Sequence, residues 1–284
     1  MSKRAQAELL LLLVTAIWGA TFVVVKEALR DASPLVFIAG RFTVAGILLF
    51  LTLGWRKLNL RCLGPAAVLG LLLFLGYVFQ TWGLVYTTPS KCAFITGFSV
   101  ILVPVIMPLA GVRLRPGSAA GGLLGIAGIY FLLSPSGAQG INRGDWLTLL
   151  GAIAFAAYIV MVDVYARSYS FVQLAPAQLL FTGILAYATL PFDPHPHFNL
   201  TAALAGAIAV TAVFATAFAF GVQNWAQRFV PAAHTALIFA FEPVFAALTS
   251  FWFMNERLGA RILIGATLIL AGMIVSEAWG GRET

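Results

Sequence analysis

Charged residues are scarce in this sequence of 284 amino acids. They make up 10% of the chain, while 61% of the residues are hydrophobic; an average soluble domain has about 25% charged residues. A soluble protein of this size cannot bury so much apolar surface, and a disordered chain would carry far more charge. The composition therefore argues against a soluble enzyme and predicts an all-α integral membrane protein.

The residues of metal, nucleotide and nucleic-acid sites are also scarce. His195 and His197 have a spacing that suits neither a tetrahedral zinc site nor a pair on one helix face. No phosphate loop, nucleophile elbow or His-Glu-x-x-His motif is present, and the net charge of +7 is scattered rather than gathered in a basic run. We therefore expect no enzyme activity, no cofactor, no metal and no nucleic-acid partner.

Long apolar runs fill almost the whole chain. A membrane-spanning helix needs about 20 residues, and breaks at charged, proline or glycine residues divide the sequence into ten runs near that length. The runs cover 8–29, 34–54, 64–86, 91–111, 117–134, 144–165, 171–190, 199–224, 231–253 and 260–279. They predict ten transmembrane helices joined by short loops, with no soluble domain.

The distribution of Lys and Arg predicts the orientation of these helices. When the N-terminus is placed inside, ten of the 17 Lys and Arg residues fall on the inner side and six on the outer side, and Arg41 falls within the second helix. The inner loops of membrane proteins carry the excess of positive charge. Both termini are therefore expected on the cytoplasmic side.

The two halves of the sequence resemble each other weakly. Residues 46–48 and 183–185 share the sequence Gly-Ile-Leu, 137 positions apart, and four later positions match at an offset of 144. We interpret residues 1–137 and 142–284 as two five-helix repeats, the second inverted because five is an odd number. Inverted repeats around a midplane site are typical of secondary transporters, although apolar helices also match by composition alone.

Glycines are concentrated in the fifth and tenth runs. Small residues let membrane helices approach each other closely, so these faces predict scaffold packing or a homodimer interface rather than a substrate site. The glycines that form them are Gly117, Gly121, Gly125, Gly128, Gly265 and Gly272.

Glu242 lies at the middle of the ninth run, where a charge costs about 3 kcal/mol. Pro243 follows it and lacks the N–H that a helix interior needs, so we expect a kink there. A carboxylate beside a broken turn suits substrate binding or proton coupling; the alternative is a protonated Glu242 that seals a helix contact.

Arg41 lies within the second run, about 10 Å below the outer edge of the membrane. It either extends outward to the interface or takes part in coupling or gating inside a cavity.

Four aromatic residues lie deep enough in their runs to line a central cavity. Their rings can hold an organic side chain or a cation, or they can serve helix packing alone. Together with Glu242 they are candidates for substrate binding: Trp18, Tyr77, Tyr158 and Phe239.

Three further polar residues have two interpretations each. Gln80 and Asn224 can hydrogen-bond a solute or join neighbouring helices. His234, at the start of the ninth run, can titrate near neutral pH and so take part in coupling or gating. Its alternative role is a structural hydrogen bond.

Several short motifs follow each other along the chain. They are Trp18-Gly19-x-x-Phe22-x-x-x-Lys26, Pro34 with Arg41-Phe42, Leu84-x-Tyr86-Thr87-Thr88, Glu242-Pro243-Val244, Asn255-Glu256-Arg257-Leu258 and Gly265-x-x-Leu268-Ile269-x-Ala271-Gly272. In combination they resemble the EamA-type members of the drug/metabolite transporter superfamily, over nearly the whole chain. The first half departs from that pattern, because Arg113 stands where a glutamate is frequent and Ser99 falls opposite Glu242.

The resemblance implies ten helices in two inverted repeats, a bacterial inner-membrane location and export of small metabolites from the cytoplasm. A YddG-like branch exports aromatic and other neutral amino acids, and the deep aromatic residues agree with it. The leading hypothesis is therefore a secondary transporter of such amino acids that works by alternating access in the lipid bilayer. Two rivals stay open: efflux of cationic or amphipathic compounds, and a membrane scaffold or sensor that transports nothing.

Overall fold

The protein is helical throughout the ranges described. The computed structural model describes residues 2–54, 60–111, 116–133, 142–256 and 259–278, and within them the one extended pairing is an isolated bridge from Ala32 to Phe198. The α-helices, in chain order, are α1 Lys3–Ala28, α2 Pro34–Leu49, α3 Leu63–Tyr86, α4 Pro89–Gly97, α5 Ser99–Ile106, α6 Pro116–Leu133, α7 Arg143–Ala166, α8 Phe171–Thr189, α9 Ala202–Ala212, α10 Ala219–Ala226, α11 Ala232–Phe239, α12 Glu242–Met254 and α13 Ala260–Ala278. The prediction of an all-α protein is confirmed for these ranges.

Eight helical segments in the described ranges are long and apolar enough to cross a membrane. In addition, α6 and α13 occupy the positions of the fifth and tenth predicted spans. The prediction of a multi-pass membrane protein is confirmed, whereas the full count of ten spans and the inverted relation between the halves stay predictions. Several positions used in the sequence analysis lie outside the described residues: 55–59, 112–115 with Arg113, 134–141, Arg257, Leu258 and 279–284.

Two of the predicted spans are broken near their midpoints. α4 ends at Gly97 and α5 begins at Ser99, while α11 ends at Phe239 and α12 begins at Glu242. The second of these breaks lies just before Glu242 and Pro243, the first two residues of α12. Pro243 takes the second position of that helix, where no N–H donor is needed. Glu242 therefore stands at the start of a helix in the middle of the ninth span.

The eighth span contains a π-helical turn, Val213–Phe218, between α9 and α10. The hydroxyl of Thr216 donates to the carbonyl of Thr211, five residues earlier, at 2.8 Å. A π-helical turn holds one extra residue, so some carbonyl groups leave the α-helical hydrogen-bond pattern. The carbonyl of Ala215 accepts hydrogen bonds from side chains of α1 and α2.

Glycines allow the closest contact between α6 and α13. A Cβ atom at Gly128 would lie 2.7 Å from the carbonyl oxygen of Gly265, and one at Gly272 would lie 2.6 Å from that of Gly121. The two glycine faces therefore pack against each other within one chain. This corrects the expectation that these faces hold a homodimer together, because each face covers the other. A homodimer through a different face stays a prediction.

The helical bundle has an N-terminal end, where α1 begins, and an opposite end, where α1 ends and α2 begins. Toward the N-terminal end, Leu11, Val103, Val160 and Val230 belong to one buried hydrophobic cluster. Toward the opposite end, polar side chains join the helices by hydrogen bonds and an ion pair. The helices are thus held together by different chemistry at the two ends of the bundle.

Candidate functional site

A cavity lies between α1, α2, α3, α7, α10 and the two broken spans. Its volume is about 70 Å³, which is room for several water molecules, since each needs about 10–15 Å³. The lining reaches from Ile159 and Phe239, near the middle of their spans, to Val25 and Leu84, close to the opposite end. Seven of the candidates from the sequence line it: Trp18, Arg41, Tyr77, Gln80, Tyr158, Phe239 and Glu242.

Glu242 is half-buried at the first position of α12 and faces this cavity. No hydrogen bond or ion pair joins its carboxylate to any residue of the described ranges. Helix α1 can approach this turn because Gly19 has no side chain: a Cβ there would lie 2.7 Å from the Glu242 carbonyl oxygen. Substrate binding, proton coupling and a protonated helix contact all stay predictions for Glu242.

Arg41 is buried, with 4% of its surface exposed. Its Nε donates to the Thr216 hydroxyl at 2.6 Å, and its Nη2 donates to the Tyr77 hydroxyl at 3.3 Å and to the Ala215 carbonyl at 3.2 Å. The guanidinium carbon lies 4.6 Å from the centre of the Tyr77 ring, which is a cation–π distance. Arg41 therefore points into the protein, and the alternative that it extends to the membrane interface is wrong.

Trp18 contacts neighbours of both charged residues of the cavity. Its indole N–H donates to the Ala215 carbonyl at 2.8 Å, the same oxygen that Arg41 contacts. Its ring packs on Phe239 at 5.0 Å between ring centres, and Phe239 ends the helix just before Glu242. Trp18 thus connects the Arg41 side of the cavity with the Glu242 side.

Phe220 on α10 is the centre of an aromatic wall that the sequence analysis missed. Its ring lies 5.4 Å from that of Trp18, 6.1 Å from that of Tyr77 and 5.7 Å from that of Tyr158, between centres. Phe155 extends the wall beside Tyr77, at 5.2 Å. Nothing in an apolar run distinguishes these two rings from the other phenylalanines, of which the chain has 23 in all.

The amide side chains differ in where they point. Gln80 lines the cavity and donates to the Thr96 hydroxyl at 3.0 Å. Gln223 is buried in the lining, and its Oε1 has no hydrogen-bond partner among the described residues. Asn224 is buried outside the lining and donates to the Phe220 carbonyl at 2.8 Å, so its role in substrate binding stays a prediction. Neighbouring positions on a helix differ by a rotation of about 100°. Gln223 therefore lines the cavity, and Asn224 does not.

Two candidates for coupling or gating lie outside the cavity lining. His234 Nε2 is 3.3 Å from Glu8 Oε1, close to the N-terminal end, where it joins α11 to α1. Pro243 is buried at the second position of α12 and helps to fix the break before it. Neither residue lines the cavity, so any part in coupling or gating would act through the helices and stays a prediction.

A second polar group, which the sequence analysis did not assemble, lies toward the opposite end. Lys91 Nζ and Asp145 Oδ2 form a buried ion pair of 2.7 Å between α4 and α7, and the Thr87 hydroxyl donates to Asp145 at 3.2 Å. Lys26 Nζ donates to the Leu84 carbonyl at the end of α3, at 2.6 Å. The contacts of Asp145 join the two halves, whereas the contact of Lys26 joins two helices of the first half. Within the described ranges, no cluster of His, Cys, Asp and Glu could hold a metal ion.

Comparison with known proteins identifies the family. The sequence profile described as the EamA-like transporter family matches residues 5–134 and 142–277. The chain belongs to the EamA-like transporter family. The resemblance to the drug/metabolite transporter superfamily is thereby confirmed, and this EamA-like protein is a membrane transporter. The two matched ranges fall in the two halves that the sequence analysis interprets as repeats.

Relatives of this EamA-like transporter match it along most of their length. An uncharacterized transporter of Archaeoglobus fulgidus is 38% identical and covers 96% of this chain and 86% of its own. The uncharacterized transporter YoaV of Bacillus subtilis is 22% identical over 93% and 94% of the two chains. A chloroplastic WAT1-related protein of Arabidopsis thaliana is 26% identical over 94% and 68%. A crystal structure with 20% identity and a TM-score of 0.73 covers 96% of both chains and shares the fold.

Proposed function

We propose that this EamA-like transporter is a secondary transporter that exports small metabolites, in particular aromatic and other neutral amino acids, by alternating access. One observation supports this most: Glu242, without a partner in the described ranges, faces a cavity with aromatic walls that include Trp18, Tyr77 and Tyr158. A carboxylate taken from water needs a compensating positive group. The ammonium group of an amino acid supplies it, and the aromatic rings accommodate the side chain.

Alternating access requires a central site that opens to one side of the membrane at a time. The cavity lining extends toward the opposite end as far as Val25 and Leu84, whereas Leu11 and Val103 are buried on the N-terminal side. The breaks in the fourth and ninth spans provide half-helices that can move against the rest of the bundle. In our proposal the opposite end faces outward from a bacterial inner membrane, and both termini are cytoplasmic, as the Lys and Arg distribution predicts.

Efflux of cationic or amphipathic compounds is the second candidate function. Glu242 and the aromatic wall would suit an organic cation as well. Arg41 disfavours this candidate, because its guanidinium lines the same cavity and repels a cation that carries no negative group. A scaffold or sensor would have no need for a cavity with two charged side chains in its lining.

Counterflow in liposomes tests the proposal. The purified protein is placed in vesicles loaded with unlabelled L-phenylalanine, and the uptake of labelled L-phenylalanine is compared with that of protein-free vesicles. We expect accumulation that other neutral amino acids reduce and tetraphenylphosphonium does not. Exchange of organic cations alone would favour the second candidate, and no exchange of any solute would favour a scaffold or sensor.

A further inference from the structure

We infer that Arg41 binds the carboxylate of the transported solute, so that the cavity selects zwitterionic α-amino acids over amines and over carboxylic acids. The inference rests on the proposed function, because it concerns the same cavity. It starts from a positive charge that has no ionic partner among the residues that the structure describes.

Arg41 is a buried cation with no ion-pair partner in the described ranges. Its hydrogen bonds all go to neutral oxygens, namely the hydroxyls of Thr216 and Tyr77 and the carbonyl of Ala215. No ion pair joins Arg41 to a carboxylate of the described ranges. A charge inside a membrane protein is costly unless it is paired, and such residues commonly face a substrate pathway. A carboxylate on the solute would supply the missing negative charge.

The guanidinium is held in a fixed orientation with a donor group to spare. Nε and Nη2 are bonded to the π-helical turn and to α3, and the plane packs on the Tyr77 ring at 4.6 Å. Nη1 makes no hydrogen bond to any residue in the described part of the chain. Because the planar fork of arginine matches a carboxylate, a guanidinium fixed in this way is preorganised to bind one.

The opposite charge of the zwitterion has a place in the same cavity. Glu242 lines the same cavity, and the Oε1 of Gln223 is a buried acceptor without a partner in the described ranges. An α-amino acid therefore offers an ammonium group to Glu242 and a carboxylate to Arg41. An amine would leave Arg41 unneutralised, and a carboxylic acid would leave Glu242 unneutralised.

Competition in the wild-type protein tests this inference without any substitution. The competitors of L-phenylalanine counterflow share its benzyl group: phenylalaninamide and phenethylamine lack the carboxylate, and 3-phenylpropionate lacks the ammonium group. We expect each analogue to compete roughly 10- to 100-fold more weakly than L-phenylalanine, since a charge-assisted contact contributes about that factor. Phenylalaninamide that competes as well as L-phenylalanine would overturn the inference and leave amino-acid transport intact.

Arginine variants sharpen the test. Arg41→Gln should lower the affinity for L-phenylalanine roughly 10- to 100-fold but change that for phenylalaninamide by less than about twofold, which removes the discrimination. Arg41→Lys should retain part of it, because the charge stays while the planar fork is lost. The control is Arg167→Gln, since Arg167 is exposed and pairs with Asp163 outside the cavity. Equal weakening of both ligands by both Arg41 variants would show a structural role and overturn the inference.

Direct binding separates this inference from the proposed function. L-phenylalanine is titrated into detergent-solubilised protein, and the tryptophan fluorescence is followed. Binding that depends on Arg41, without counterflow, would contradict transport and support the role of Arg41. Counterflow that ignores the carboxylate would support transport and contradict that role, and the absence of both signals would contradict both.

Discussion

Arg41 and Glu242 line the cavity without an ionic partner in the described ranges, whereas Lys91 and Asp145 form a buried ion pair of 2.7 Å near the opposite end. Removing any of these charges from water costs free energy. For Lys91 and Asp145 the protein offsets that cost with their mutual attraction and with the Thr87 hydroxyl. For Arg41 and Glu242 in the cavity, part of the desolvation cost is left for a bound solute to offset. The difference separates charges that join helices from charges that bind.

Removal of Asp145 should have the largest effect on stability, because it leaves Lys91 buried without a partner. Breaking a buried ion pair costs about 3–5 kcal/mol, so most of the Asp145→Ala protein should fail to fold. Size-exclusion chromatography measures the folded yield, and thermal unfolding measures the stability of what remains. The control Glu27→Gln removes an exposed pair with Arg30. It should change the free energy of unfolding by less than about 1 kcal/mol.

The double variant Lys91→Met with Asp145→Leu completes that comparison. It replaces both charges by apolar side chains of similar size, which is often neutral or stabilising for a buried pair. We expect a folded yield near that of the wild type. If Asp145→Ala is as stable as the Glu27→Gln control, the ion pair of Lys91 and Asp145 does not stabilise the fold, and its contrast with Arg41 and Glu242 fails.

Glu242→Gln should change affinity rather than stability. The variant keeps the size of the side chain but removes its charge, and no described residue loses a partner. We expect a wild-type folded yield and an affinity for L-phenylalanine at least about tenfold lower, with a smaller loss for 3-phenylpropionate, measured by counterflow competition. Retained exchange with no response to a pH gradient would instead assign Glu242 to proton coupling. Normal transport at every pH would remove it from the site.

Trp18→Phe should have a smaller effect, since it removes the indole N–H but keeps an aromatic ring against Phe239. The lost hydrogen bond to the Ala215 carbonyl should cost about 0.5–1.5 kcal/mol of stability, measured by thermal unfolding. Trp18→Ala also removes the ring and should weaken transport per folded molecule more than Trp18→Phe does. If both variants lower the folded yield yet spare transport, Trp18 serves packing alone.

His234→Gln should have the smallest effect on transport, because the contact with Glu8 lies away from the cavity. We expect the KM for L-phenylalanine to stay within about twofold and the pH profile to keep its shape between about pH 6 and 8, where histidine titrates. Counterflow at several pH values measures this. A shift in the pH profile of counterflow would support a role of His234 in coupling.

Depth in the membrane could be predicted from the sequence, because it follows from counting along each apolar run. Trp18, Tyr77, Tyr158 and Phe239 meet in one cavity for that reason. Rotation about the helix axis could not be predicted, because runs that are apolar all round give no face from which to derive it. For this reason the sequence could not show that Gln223, rather than Asn224, lines the cavity wall.

The surroundings of the charged residues were equally hidden. Arg41 points inward because a π-helical turn, 174 positions further along the chain, presents the Ala215 carbonyl to it, and no residue type marks such a turn in advance. Lys91 and Asp145 are 54 positions apart and belong to different halves. Their pairing depends on how the halves pack, which neither local sequence specifies.

The π-helical turn Val213–Phe218 also sets which side chains of α10 face the cavity. It holds one residue more than an α-helix of the same rise, and one residue corresponds to a rotation of about 100°. Deleting any of its residues would turn α10 so that Phe220 and Gln223 leave the cavity wall, while the span would stay apolar and long enough for the membrane. A deletion within this turn should therefore keep the fold and the membrane span but change the lining of the cavity, and with it the solute specificity.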